Sequence, residues 1–531
     1  MKRAASTSLL WLGLSLAGGA KSQERPSEAD LFGPSPAAPA PPPPAAPGAP
    51  AAPAAPEQAE GTAEAARDAQ ILGATPPRMF DEQAAPDDPL EMGGQLYLRT
   101  QVAALEGQAP RDWTLSSPAL LDVYLDARPN DRVRGFVLGR MSFDPTLPST
   151  AAAASAAGNV DATGGTAGSA PPSALFQAQT RGPRVILDQL WLRFDVKHTV
   201  FVTAGKQHVR WGTGRFWAPT DYLHVRKRNP LDVFDARSGT TLLKLHLPIE
   251  SRAWNFYAYG VTEGPGATST LGSLAGAARA ELVFGPAELG LGAFVKRGQK
   301  PKYALDLSAG VGDFDVYGEL AVRSGEDIDR VQYATGASLP ELDGPPSWER
   351  PEETARRQLA TVIDALYPVY RSRGIKAQAV GGFSYSQKYN DNDTFTLGAE
   401  YFYNGLGHQS PAPYPGLVLP HSRELVDAAT FFYLGQQYTA VFLALPAPYS
   451  LDNHTFTLST LGNFSDFSFI TRLDYSLAVL AHLRFEAFAS ARYGHTNGEF
   501  RFGVDQLDIG GFNFSRAPAL LDLGVGLRID I

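Results

Sequence analysis

Residues 205–239 (GKQHVRWGTGRFWAPTDYLHVRKRNPLDVFDARSG) concentrate the side chains best suited to selecting a solute. The cations Arg210, Arg215, Arg226, Lys227, Arg228 and Arg237 are interleaved with Trp211, Phe216, Trp217 and Tyr222. Asp221, Asp232 and Asp235 supply counter-charge. Guanidinium and ammonium groups beside a narrow aqueous passage favour anions, and aromatic faces suit sugar rings. The competing reading is an ordinary external loop, its aromatics at a bilayer interface and its cations on lipopolysaccharide phosphates. Covalent chemistry finds less support. Gly-x-Ser-x-Gly, Gly-x-x-x-x-Gly-Lys and His-Glu-x-x-His are absent, and the nine histidines form no ligand pair at helical spacing. With no cysteine there is no thiolate nucleophile, thiolate metal site, disulfide or lipid-anchored cysteine. Asn390-Asp391-Asn392-Asp393 reads as a tight turn rather than a calcium loop. No catalytic residue, cofactor or metal site is expected.

The elements that would position the basic segment are strands. From Gly94 onward apolar side chains recur at every second residue, which in a strand places them on one face. In the last segment Leu521, Leu523, Val525, Leu527, Ile529 and Ile531 alternate with Asp522, Gly524, Gly526, Arg528 and Asp530. Strands are predicted near 94–106, 118–128, 131–143, 185–197, 199–211, 239–248, 251–262, 276–284, 288–297 and 302–311. Further strands are predicted near 314–323, 374–388, 394–404, 435–445, 453–461, 467–478, 481–494 and 518–531. Even-numbered connections such as Pro129-Asn130, Gly312-Asp313 and Val479-Leu480 are short, whereas 144–184, 212–238, 324–373, 405–434 and 495–517 are long. That alternation is expected of a transmembrane barrel with its turns on one side. Glu349–Tyr370 has a helical apolar face (Leu359, Val362, Ile363, Leu366) within the 324–373 connection.

The expected fold is therefore all-β: a transmembrane antiparallel barrel of about 18 strands, with 16 the nearest alternative count. A barrel of that size leaves an aqueous lumen rather than filling with its own side chains. Arg193, Asp195, Asp315, Glu319, Arg472, Asp474, Arg484, Glu486 and Arg528 fall on the predicted inner face, which must hydrate or pair them. As the loop after the fifth strand, the basic segment would fold inward as a constriction.

The 531 residues carry a net charge of −9, and no strongly basic domain points to nucleic acid. Residues 1–20, with Lys2-Arg3, apolar Leu9–Leu16 and Gly18-Gly19-Ala20, read as a cleaved signal peptide. Residues 21–92, including the Pro/Ala-rich stretch 26–56, read as a disordered periplasmic linker, and 93–531 as the barrel.

The tail, the signal peptide and the stretch Gly205–Asp221 resemble porin-type outer-membrane proteins of Gram-negative bacteria. The pattern Gly205-Lys206-Gln207, Trp211-Gly212, Pro219-Thr220-Asp221 is similar to that of a poorly characterised barrel family, where it follows a β-hairpin. Such barrels usually end in an aromatic residue, where Ile531 stands here. The resemblance implies a channel for diffusion of polar or anionic solutes such as sugars. The expected partners are outer-membrane lipid, lipopolysaccharide and the barrel-assembly machinery, with periplasmic partners reached through 21–92. Two other functions fit the same features: a conduit for exported polysaccharide, and a structural barrel anchoring the envelope through its N-terminal tail.

Overall fold

The computed structural model describes residues 89–147, 182–224, 227–232, 237–262, 274–337, 351–389, 393–418, 431–509 and 512–531. The expected signal peptide, residues 21–88 of the expected linker, Arg226 and Asp235 lie outside the described residues.

An 18-strand antiparallel barrel forms the body of the molecule. Its strands are β1 Leu90–Leu105, β2 Ala119–Asn130, β3 Val133–Phe143, β4 Arg184–Val196, β5 Val200–Gln207 and β6 Thr240–Ile249. Next come β7 Trp254–Val261, β8 Ala275–Phe284, β9 Ala287–Lys296, β10 Lys302–Val311, β11 Phe314–Ser324 and β12 Ile375–Lys388. The last six are β13 Thr394–Asn404, β14 Gln437–Pro446, β15 His454–Asn463, β16 Ser468–Leu480, β17 Leu483–Gly494 and β18 Ala519–Asp530. Each strand pairs with its sequence neighbours, and β1 closes on β18 in a register running from Gln95 opposite Asp530 to Leu105 opposite Ala519. Closure removes every free sheet edge, the condition for crossing hydrocarbon with strands.

Alternation along the strands separates two solvents. On β6, Leu243, Leu245, Leu247 and Ile249 are exposed outward, and on β18 Val525 and Leu527 are exposed while Arg528 is buried inward. Such a continuous apolar exterior would be a liability in water and is at home in lipid. Tyr303, Tyr401, Tyr403 and Tyr493 stand exposed at the rim with the long connections, and Phe284, Phe314, Tyr389 and Tyr449 at the opposite rim. These are the aromatic girdles of a membrane barrel. Leu458 lies midway along β15 on the outer face. Leu458→Arg is expected to cost about 2–4 kcal/mol, read by urea unfolding in lipid vesicles.

The short connections owe their tightness to particular backbone geometry. Lys197 and His198 both adopt left-handed φ, 55° and 52°, which matches a two-residue turn to the twist of its strands. Gly312 does the same at φ 63° between β10 and β11.

Two strands are markedly shorter than the sequence pattern predicts: β7 starts at Trp254 rather than 251, after a 3-10 turn at Glu250–Arg252, and β5 is cut at its end. β5 ends at Gln207 instead of running to 211, because the chain leaves the wall and turns into the barrel. Gly205 prepares this departure: at φ 127° its Cα approaches β4 so closely that an added Cβ would lie 2.1 Å from the Leu190 carbonyl oxygen. Only glycine fits there.

At the long-connection rim, helix α1 Pro351–Leu366 occupies the region where the sequence predicts a helix, with Pro351 at its first turn. Its Val362 and Ile363 pack against Val331, Tyr367, Leu434, Phe502 and, from the short helix α2 Tyr414–Val418, Tyr414 and Leu417. Three separate connections therefore share one apolar core above the barrel.

Candidate functional site

Residues 208–224, 227–232 and 237–239 line the inside of the barrel, held by a hydrophobic anchor at each side. Trp211 is fully buried in a cluster with Leu242 of β6, Tyr257 and Tyr259 of β7 and Phe294 of β9, its ring edge-on to Tyr259 at 5.7 Å. Trp217 is buried against the other wall, stacked on Phe402 of β13 at 5.5 Å and beside Tyr438 of β14. Its indole Nε1 donates to the Phe432 carbonyl at 3.0 Å.

Between these anchors two wall carboxylates bind the segment's backbone. Glu400 of β13 accepts the amides of Arg215 (2.7 Å), Phe216 (3.2 Å) and Trp217 (2.9 Å), and the Tyr317 hydroxyl at 2.9 Å. Glu319 of β11 accepts the Gly214 amide at 2.5 Å and the Thr220 hydroxyl at 2.7 Å. Consecutive amides converging on one carboxylate form an anion-binding concavity, here filled by the protein's own side chain.

The segment's charges are organised internally. Asp221 faces His224 at 2.9 Å and Arg237 at 2.9 Å, and all three are buried. Lys227 donates to the Asp221 carbonyl at 3.4 Å, Arg210 to the Gly214 carbonyl at 2.7 Å, and Arg228 to the Arg215 carbonyl at 3.4 Å. Where the segment rejoins the wall, Asp188 of β4 faces His208 and Arg140 and accepts the Gly239 amide.

The aromatic expectation needs correcting. Trp211, Trp217 and Tyr222 were expected to offer faces to a solute, yet all three are buried in the packing, and the Tyr222 hydroxyl donates to the Tyr303 carbonyl. Large apolar rings gain more from displacing water against the wall than from lining a wet passage. Arg215, Phe216 and Arg228 are the expected residues that border open space.

That space is a pocket between the segment and the wall from β15 through β18 to β1. Five guanidinium-bearing residues line it, Arg99, Arg215, Arg228, Arg472 and Arg528, with the carboxylates Asp232, Asp474 and Glu486. Arg99 and Arg472 both lie over the Phe488 ring, 4.4 and 4.1 Å from its centroid, so one ring holds two like charges in place. Arg215 lies over Phe442 at 3.8 Å. Among the other wall charges read from the sequence, Arg472 pairs with Asp474 at 2.6 Å and Arg528 with Glu486. Arg193 lies over Phe201 at 5.4 Å and Asp195 pairs with Arg132 at 3.2 Å. Asp315 is exposed near the short-turn rim, and Arg484 is half-buried on β17.

Sequence reasoning missed Glu400 and Asp188. The available signal was register: Glu400 shares an inward face with Gly398, Phe402 and Asn404, a lone acid among groups that carry no charge.

A closed sheet and an apolar, aromatic-girdled exterior make this a transmembrane β-barrel of 18 strands. No protein-family model and no curated protein matches the chain. Among solved structures it is similar to OccAB1 of Acinetobacter baumannii, at 10% identity and TM-score 0.46, over 85% of this chain and 99% of that one. It is similar to OccK9 (OpdG) of Pseudomonas aeruginosa at 7% identity and TM-score 0.44, over 83% and 98% of the two chains. A triple-mutant porin of Rhodopseudomonas blastica matches at 11% identity and TM-score 0.35, over 83% and 100%.

Proposed function

We propose that this barrel is a diffusion channel for polar solutes with a preference for anions, and that residues 208–239 are its constriction. The observation that carries the reading is the cavity beside that segment, where five arginines outnumber three acids. Cations fixed at a narrow point lower the barrier for anions and raise it for other cations, and the apolar wall on either side keeps their field from being fully screened. Solute ring stacking on Trp211 or Trp217 forms no part of the reading, since both are covered.

Reconstitution in planar bilayers tests it. In a KCl gradient the reversal potential should carry the sign of a chloride-favouring pore. Arg99→Gln and Arg472→Gln should each reduce the chloride-to-potassium permeability ratio by about 2-fold. A wild-type barrel that inserts but passes no current at any voltage contradicts the channel. Export through 1–20, insertion by the barrel-assembly machinery and lipopolysaccharide contact at the outer rim belong to the same reading. Polysaccharide export and envelope anchoring both lean on the 21–92 tail, nearly all of which lies outside the described residues, and no observation favours either.

A further inference from the structure

We propose that Glu400, assisted by Glu319, is the positioning residue of the constriction: it grips the backbone of residues 214–217 and thereby fixes the Arg215 guanidinium in the passage. The inference rests on the channel reading and adds to it the groups that set the width and selectivity of the pore.

Three observations converge. The Arg215 amide donates to Glu400 Oε2 at 2.7 Å, while the side chain of the same residue lines the cavity. Backbone anchor and solute-facing charge therefore belong to one residue, so a shift at the amide moves the guanidinium directly. Glu400 is itself oriented: the Tyr317 hydroxyl donates to it at 2.9 Å, and it is 1% exposed. Glu319, two residues from Tyr317 on β11, takes the flanking Gly214 amide and the Thr220 hydroxyl, so it holds the two ends of the stretch whose middle Glu400 holds. Space around that turn is also closed. A Cβ on Gly214 would lie 2.0 Å from the Trp217 carbonyl oxygen, so only glycine lets the turn fold this tightly.

Hydrogen bonds from neutral amides to an ionised acceptor are stronger than those to a neutral one. Converting the acid to an amide keeps its shape and removes the charge, while alanine removes both oxygens. The chain has no cysteine, so Thr213→Cys carries a single spin label without background.

The experiment compares wild type, Glu400→Gln, Glu400→Ala and Arg215→Gln by bilayer recording, with the spin-labelled Thr213→Cys form of each read for loop mobility. Heat-modifiable gel migration selects the folded barrels. Glu400→Ala should raise single-channel conductance by about 2-fold, add current noise and lower the chloride-to-potassium ratio. Glu400→Gln should fall between it and wild type. Arg215→Gln should lower the ratio while the label stays immobile. A folded Glu400→Ala barrel with wild-type conductance, ratio and label mobility overturns the proposal. Should wild type pass no ions, the channel reading fails, and the label still decides whether Glu400 holds the segment.

Discussion

Asp221→Ala is expected to destabilise the inward segment by about 3–5 kcal/mol, the cost of removing one partner from a buried ion pair. Asp221 is 2% exposed and faces both Arg237, 5% exposed, and His224. Burial by itself raises the Asp221 carboxyl, but the charges of His224, Arg237 and Lys227 outweigh it and hold the group well below the usual carboxylate range. A depressed acid contributes stability above its unfolded value, and that contribution is lost only as pH falls through the folded value. The segment should thus stay docked from neutral pH down to about pH 4, and the variant should lose that resistance. Thermal unfolding of detergent-solubilised wild type and variant across this range measures it. Equal midpoints would show that the pair contributes nothing.

The second large effect concerns the cap of long connections, and it runs in the opposite direction with pH. Glu499, in the connection after β17, is pushed up to about 8 by burial and by the neighbouring Asp466. It accepts from the Tyr438 hydroxyl at 2.6 Å, from Asn463 at 2.9 Å and from the Leu434 amide at 3.3 Å. Those contacts tie the connection after β17 to the one after β13 and to the ends of β14 and β15. An acid whose folded value is raised stabilises most below the ordinary carboxylate range and loses that contribution as pH climbs through the raised value. Proteolytic cleavage of the cap should therefore accelerate progressively from about pH 4.5 to about pH 8. Glu499→Gln, which stays neutral throughout, should flatten the profile. A profile identical to wild type in that variant assigns the pH response elsewhere.

Period-two alternation made the wall legible. On β18 the outward Leu and Val and the inward Asp, Gly and Arg are strictly interleaved, and a strand has no other way to satisfy that pattern beside lipid. Chain direction supplied the rest, because short and long connections must alternate between the two rims. The end of β5 was misread because His208–Trp211 continue to look strand-like locally. What ends the strand is Trp211 finding a partner in Tyr259, a contact across 48 residues that no local pattern encodes. Register marks Glu400 as a lone inward acid, but what it binds has no local signature, for a related reason. Its ligands are amides of residues some 185 positions earlier, and amides carry no sequence signature. Arg210, Arg215, Arg228 and Arg237 could be singled out by type, yet only the fold shows that Arg215 and Arg228 border the pocket while Arg237 pairs with Asp221.

The inward segment leans on the walls built by β6–β9 and β13–β14, so the space it leaves is eccentric. A molecule threading such a crescent keeps one flank against a single side and has little room to tumble. Permeation should then depend on cross-sectional shape more steeply than on mass. Slim, elongated anions would overtake compact globular ones of equal charge, as objects in a slot sort by thickness rather than by length.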